Sequence, residues 1–556
     1  MSRGGWVAGA ALLVLTAAPA LGQGGDFNPL VETRPRMPGF LPTAPTLSPA
    51  APTPGPGLAR EGGVVLSEVV VAGSTCFTPA ELRAVVEPFL GRKLQVEDLL
   101  ALRNGVTRLY LAHGYLNSGA VLPDQDIGSG LLTLVVVEGR LDQVKVEGAG
   151  WVRPEVLAAW LAGEEGEVFK AEAIQDRLQV LMLKMPLTRI DVRLVPGATA
   201  GHSSLDVTVE EAFPLTGAVT VANDLPPSVG GIRSVVDVGL KSLTGLGDPL
   251  SLQYSIASGY EAMAARYEVR IPGSSLGFHL RASRESSNIV AGVLTSLDVS
   301  SDSWSGEVGG SYLLIETAER DVSVGLDLRR HHQQTFLDGT PFAFTAGADS
   351  EGRTTTSVLA FPVDWVERRS NRAIAVRSTV LVGTPWLGAT AHPDKTTPDG
   401  QFLQWQGQAQ AAFKVAEDGQ QIIGRLDVQL SSDKLLSSEK AAIGGVSTVR
   451  GYEASQFLYD NAVIGSLEYR YPLGETHVPV EVQWVLAPFL DAARGHDKDT
   501  PAASDFFSVG LGLLTDLSPY AESRLYVART LSQPESAGSQ TDTLGYEVHW
   551  SVKAGF

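Results

Sequence analysis

The residue types that usually carry covalent chemistry are sparse in this chain and poorly spaced for it. There is no G-x-S-x-G elbow to present a nucleophilic serine, no H-E-x-x-H pair to hold zinc on one helix face, and no P-loop to cradle phosphate. The single cysteine, Cys76, excludes both an intrachain disulfide and a cysteine pair for metal; alone it reads as a small buried apolar side chain. His331 and His332 lie in Arg329-Arg-His-His-Gln333, which reads as a polar strand end or loop rather than a metal site. The pattern that remains is Val449-Arg-Gly-Tyr452, close behind Ile443-Gly-Gly-Val-Ser447. A guanidinium forked onto a carboxylate fixes direction as well as distance, and Gly451 lets the backbone turn tightly beside Arg450. Such chemistry holds a loop in place and breaks no bond. The expectation is therefore a non-enzyme, with no catalytic residue, no metal and no cofactor. A formal net charge of −19 argues against a nucleic-acid partner.

The elements that would position such a loop are legible at the end of the chain. Tyr546, Val548, Trp550, Val552, Ala554 and Phe556 alternate with Glu547, His549, Ser551 and Lys553. In a strand this puts one face against hydrocarbon and the other against water. A basic residue on the lipid face of a barrel strand costs about 2–4 kcal/mol at the bilayer midplane, and none stands there. The pattern recurs. Met263, Ala265, Tyr267, Val269 and Ile271 interleave with Arg266, Glu268 and Arg270, and Val463 to Tyr471 interleave with Ser466, Glu468 and Arg470. Sixteen such stretches can be marked from Leu215 to Phe556, separated by turns such as Leu246-Gly-Asp-Pro249 and Asp497-Lys-Asp-Thr500. Each spans about 21 residues against the roughly 9–11 that a membrane-crossing strand needs, leaving enough for turns and loops. The predicted fold is a transmembrane β-barrel of about 16 antiparallel strands over residues 212–556, with Trp550 and the terminal Phe556 marking the last strand.

The other end supplies a route to an outer membrane. Arg3, an apolar run from Trp6 to Leu15 and Ala20-Leu21-Gly22 read as a secretory signal peptide over residues 1–22, so the mature chain would begin near Gln23. No other segment approaches the roughly 18 apolar residues of a spanning helix. Residues 23–63 form an N-terminal segment and a proline-rich linker, with Pro35, Pro38, Pro42, Pro45, Pro49, Pro52, Pro54 and Pro56 in its extended part, which reads as an inert spacer. Two copies of one module follow, at 64–139 and 140–211. Gly73, Pro79 and Leu82 recur as Gly148, Pro154 and Leu157, and each copy reads strand, turn, helix, helix, strand, strand. Thr78-Pro-Ala-Glu81 carries a capping box, and Leu99, Leu102, Val106 and Leu109 form a buried helical stripe that Gly114 ends. These would be two small periplasmic α/β modules.

Signal peptide, proline-rich linker, paired modules and a barrel of this size together resemble the outer-membrane transporters of two-partner secretion, the haemolysin-activator and filamentous-haemagglutinin-transporter type. The likeness covers nearly the whole mature chain. It rests locally on Leu122-Pro-Asp-Gln-Asp-Ile127, on Val135-Val-Val-Glu-Gly139 and above all on Val449-Arg-Gly-Tyr452. The resemblance implies that the modules are polypeptide-transport-associated (POTRA) domains and that the tetrad is the tip of a loop folded back into the barrel. It implies an acidic partner for Arg450 on the barrel wall, in Phe489-Leu-Asp-Ala492, with Asp491 as the acid. This chain departs from the family pattern at Ala493, where glycine is frequent. The resemblance further implies a periplasmic partner exoprotein of β-helical type, translocated unfolded, together with outer-membrane lipid and, during biogenesis, the barrel-assembly machinery as partners. The alternatives are an insertase of other barrels, and a passive solute porin, which leaves the modules without a role.

Overall fold

The structure, a computed structural model, describes residues 34–41, 47–48 and 63–556, apart from 164–165, 198, 200, 293–294, 395, 477–480, 501, 518–519 and 533–544. The expected signal peptide, residues 23–33 and most of the proline-rich tract fall outside the described residues. Two compact units are present: Thr43–Ala212 with Thr244–Leu246, and the remainder of the described chain.

In the first unit the strands Glu68–Ala72, Leu131–Val137 and Gly119–Val121 form a sheet, the first pair parallel and the second antiparallel. Helices Pro79–Val86 and Val96–Ala112 cover it, closing a core that includes Leu82, Leu99, Leu102, Val106 and Leu134. Thr78 and Glu81 make the expected capping box. The second copy repeats the plan. Arg140–Glu147 and Leu187–Pro196 flank His202–Glu211, under helices Pro154–Ala162 and Ala171–Lys184.

The repeated glycine has a steric cause. Gly73 and Gly148 have φ of +82° and +86°, and a Cβ would stand 2.6 Å from the Val136 carbonyl oxygen in one copy and 2.3 Å from that of Val209 in the other. Each glycine turns the chain out of its first strand beneath the last strand of the same copy. The turn that follows is then tied by a glutamate at the end of that last strand. Glu138 accepts from the Thr75 and Cys76 backbone N–H groups (2.6 and 2.9 Å), from the Thr75 hydroxyl and from Tyr110 Oη–H (2.9 Å). Glu211 accepts from the N–H groups of Gly150, Trp151 and Val152 at 2.7–2.8 Å.

Partial burial alone would raise the Glu138 pKa, but the donors from Thr75, Cys76 and Tyr110 outweigh it and bring it down to about 2. A depressed carboxylate pKa stabilises the fold above the unfolded value, and that stability is lost as pH falls toward the folded one. Glu138→Gln should therefore lower the melting temperature of a fragment carrying residues 63–212 at pH 7. Hydrogen bonds to a charged group contribute about 1.5–3 kcal/mol, reduced here because the side chain is partly exposed. The gap between wild type and variant should close as pH drops from about 4.5 to about 2. An undiminished gap across that window would reject the assignment.

Sixteen strands among the described residues form the closed antiparallel barrel, from Leu215–Ala222 to Tyr546–Gly555, each paired with its neighbour in sequence; Thr340–Pro341 adds a two-residue hairpin extension at one loop. The alternation expected from sequence sets the two faces. On the fifth strand, Leu276–Asn288, Phe278 and Leu280 are about half exposed on the outside while His279 and Arg281 point inward to Glu307. The ring closes where the sixteenth strand meets the first, through five residue pairs between Ala218–Ala222 and Ser551–Gly555. The Asn223 side chain extends this seam, donating to the Val548 carbonyl (2.7 Å) and accepting the Trp550 N–H (2.6 Å), and Phe556 exchanges backbone bonds with Gly217. His331 and His332 lie inside the seventh strand, Arg320–Leu337, not at a strand end or loop. Arg329 to Gln333 are thus ladder residues alternating between the wall's two faces, which a run of consecutive polar residues hides.

Candidate functional site: an arginine held inside the barrel

The eleventh strand, Gln421–Ser431, and the twelfth, Asn461–Thr476, are joined by a long connection that contains its own two-stranded ribbon, Ala441–Ile443 with Phe457–Tyr459. Its tip needs glycine. Gly444, Gly445 and Gly451 have φ of +120°, +87° and +101°, and a Cβ on Gly444 would meet the Glu453 carbonyl oxygen at 2.1 Å. Thr448 locks the turn by accepting the Gly444 N–H and donating to the Gly444 carbonyl.

The tip delivers Arg450, which is 4% exposed, to the inner wall. Its Nε and Nη2 donate to the two carboxylate oxygens of Asp491 at 2.8 Å each, and its backbone N–H donates to Asp491 Oδ2 at 3.0 Å. Asp491, fully buried, stands on the thirteenth strand, Val482–His496. A second carboxylate completes the cradle: Arg450 Nη1 donates to Glu468 Oε2 (2.7 Å), while Nη2 also reaches Ser466 Oγ (3.0 Å). The guanidinium lies over the Phe489 ring at 3.5 Å and beside Tyr526 at 4.8 Å. The two aromatic rings meet edge to face.

The rest of the tetrad packs. Val449 and Tyr452 enter an apolar cluster with Phe457, Tyr459 and Phe506, and Tyr452 Oη donates to the Ser532 carbonyl at 2.7 Å. Ala493, the departure from the family pattern, belongs to the same cluster. Its methyl lies two residues beyond Asp491 on the same face and leaves the ion pair intact. Every inner-wall and loop residue singled out from sequence is therefore in one place, whereas Trp550 and Phe556 lie at the seam. Sequence reasoning missed Glu468 and Tyr526 as partners. The alternation marks Glu468 only as one of several charges on a water-facing strand face, together with Arg470 two positions on.

The proline-rich tract is not inert along its described part. Arg34 Nε and Nη2 donate to the two oxygens of the fully buried Asp427 on the eleventh strand (3.1 and 2.5 Å), and Nη2 reaches the Ser447 carbonyl in the inner loop (3.3 Å). Gln410 donates to the Pro35 carbonyl, and Lys414 sits over the Phe40 ring. Over residues 34–41 the expected inert spacer is thus a strip fastened along the tenth and eleventh strands by a charge pair, a hydrogen bond and a ring contact. Stripping a buried ion of its partner costs about 3–5 kcal/mol. Arg34→Ala should therefore make the strip around residues 34–41 much more susceptible to limited proteolysis in the purified full chain, with the barrel unaffected. Unchanged cleavage would deny the fastening.

Among the described residues, one group has metal-ligand spacing: His279, Glu307 and Asp327, on the fifth, sixth and seventh strands. His279 Nε2 lies 3.1 Å from Glu307 and 3.5 Å from Asp327, across Gly309, and Arg281 donates to the same Glu307 oxygen at 2.6 Å. With arginine already seated on it, this is a charge ladder linking three strands.

Comparison with known proteins accords with this geometry. The family model for the haemolysin secretion/activation protein ShlB/FhaC/HecB matches residues 201–514, and the ShlB-type POTRA domain model matches residues 64–139. The chain belongs to the haemolysin secretion/activation family. Among curated relatives, the outer membrane transporter CdiB of Dickeya dadantii is 23% identical, covering 87% of this chain and 86% of that protein. The hemolysin transporter protein ShlB of Serratia marcescens is 23% identical over 74% and 73%. Among solved structures, CdiB from Escherichia coli superposes with a TM-score of 0.70 at 22% identity, covering 92% of this chain and 94% of that one, a likeness of fold. As a family member the chain is an outer-membrane transporter, with its POTRA modules in the periplasm.

Proposed function

We infer that this chain is the pore partner of a two-partner secretion system: it receives one exoprotein in the periplasm and passes it unfolded to the cell surface. The family assignment supports transport of a partner exoprotein. The observation that carries the finer reading is the inner loop, because a passive porin has no use for an arginine held by two carboxylates at the tip of an in-folded connection. In this reading Arg450, Asp491 and Phe489 set the register of the loop, and Val449, Gly451 and Tyr452 give it shape. Trp550 and Phe556 serve the last strand as its recognition end for the assembly machinery. No step requires a bond to be broken, and folding of the cargo outside supplies direction. Nucleic acid has no part in the process.

The test is export itself. Cells making a candidate partner exoprotein should release it only when the chain is present, with the chain in the outer membrane and migrating anomalously on unheated gels. Exoprotein held in the periplasm despite an inserted barrel would favour the insertase reading instead.

A further inference from the structure

The sheet of the second module ends at Leu187–Pro196. On its inner side this strand pairs with His202–Glu211; on its outer side it pairs in parallel with two residues of the chain's own linker, Leu47 opposite Val192 and Ser48 opposite Arg193. No other described strand pairs along that edge. Ile190, Val192 and Leu194 are buried on one side of the strand, while Arg189, Asp191 and Arg193 are exposed on the other. Among the described residues, two of the linker pair with this ten-residue edge.

The linker sequence limits how long such a ladder can run. Pro45 and Pro49 bracket Leu47–Ser48, and proline has no N–H to give to a ladder. A ladder of the linker along this edge would therefore lack a donor at either proline. A partner lacking that restriction would pair over most of the strand and make several times as many backbone hydrogen bonds. The chemistry that fits is an extended, unfolded polypeptide segment of alternating residues. One row would be apolar, continuing the side of Ile190 and Val192, and the other polar, beside Arg189, Asp191 and Arg193.

We propose that Leu47–Ser48 is a displaceable placeholder on the cargo-docking edge of the second module, and that an arriving exoprotein segment takes this edge by expelling the linker. The proposal rests on the two-partner reading above and adds to it the edge and its resident competitor. Because the linker is the same covalent strand that carries Arg34, docking at the edge removes one of the linker's two described anchorages.

A cysteine pair tests it in the full chain. Leu47→Cys with Val192→Cys, in a Cys76→Ala background, should form an intramolecular disulfide in the oxidising periplasm. Export of the exoprotein should then be lost, and should return on adding a membrane-permeant reductant, while each single-cysteine variant exports normally. A second variant, Leu47→Pro with Ser48→Pro, removes the linker's donors. The purified full-length protein should then bind the exoprotein's N-terminal fragment several-fold more tightly than wild type does. Failure of the disulfide to form, or a disulfide between two copies, would overturn the pairing. A locked linker with normal export would overturn the docking edge while leaving the transporter reading standing. Weaker or unchanged binding by the proline variant would overturn the competition. If the wild-type chain exports nothing, it is the two-partner reading that fails.

Discussion

Arg450→Ala is expected to leave a folded, inserted barrel that exports almost none of its partner. Barrel stability comes from the strand ladder and the lipid-facing surface, neither of which includes Arg450. The loop tip is different, since the guanidinium carries two ion pairs, a hydroxyl contact and two ring contacts. Removing it strands Asp491 as a buried carboxylate, a change worth about 3–5 kcal/mol, and leaves Glu468 with Arg470 alone, more than enough to release the loop from one register. The second carboxylate shapes the cycle. Asp491→Ala leaves Arg450 still bound to Glu468, so its loss of export should be smaller than that of Arg450→Ala. The double variant should fall no further than Arg450→Ala alone, because groups that share a contact are non-additive. Export measured in all four proteins decides it, and additive losses would separate the two residues. Normal export by Arg450→Ala would remove the loop from the mechanism.

Deleting Val64 to Glu138 should separate recognition from conduction. The first module has its own core, and its Glu138 tie lies within the copy, so the excision leaves the barrel's strands complete. The truncated chain should insert and conduct ions in planar bilayers yet release no exoprotein into the medium. Export at the wild-type rate would show that the first module takes no part in recognition, and the passive-pore reading would regain support.

What the sequence disclosed was whatever is written in short-range periodicity. The alternation from Tyr546 to Phe556 is a face of the barrel, and Gly73 with Gly148 is a turn that only glycine can make under a neighbouring carbonyl. Val449-Arg-Gly-Tyr452 was readable because four residues carry both the bend and the charge, although its wall partner came by resemblance. The hidden parts depend on contacts made across long separations. Arg34 and Asp427 are 393 residues apart, and before folding each is one charge among many on a polar face or in a polar tract. Glu138 looked like the end of a strand; only the fold brings it to the turn it ties, 62–63 residues earlier. His331 and His332 are misplaced for the opposite reason, since consecutive polar residues imitate a loop when a barrel strand carries polar groups on both of its faces.

The seam bears on how such a molecule comes into being. Its first and last strands are the most remote in sequence of any neighbours in the ring, yet they share five ladder pairs, against eleven between the fourth and fifth strands. Loop-closure entropy must be met before a distant contact gives anything back, and pairings of high contact order are intrinsically slow. The hairpins can therefore zip in sequence order, each on its predecessor, while the final closure remains the slow event, with an open edge exposed until it happens. The Asn223 bracket and the Phe556 backbone pair become available only at that last moment, and they reinforce a junction that the ladder alone leaves short. Biogenesis is thus the stage at which a catalyst acting on the free edge would matter most.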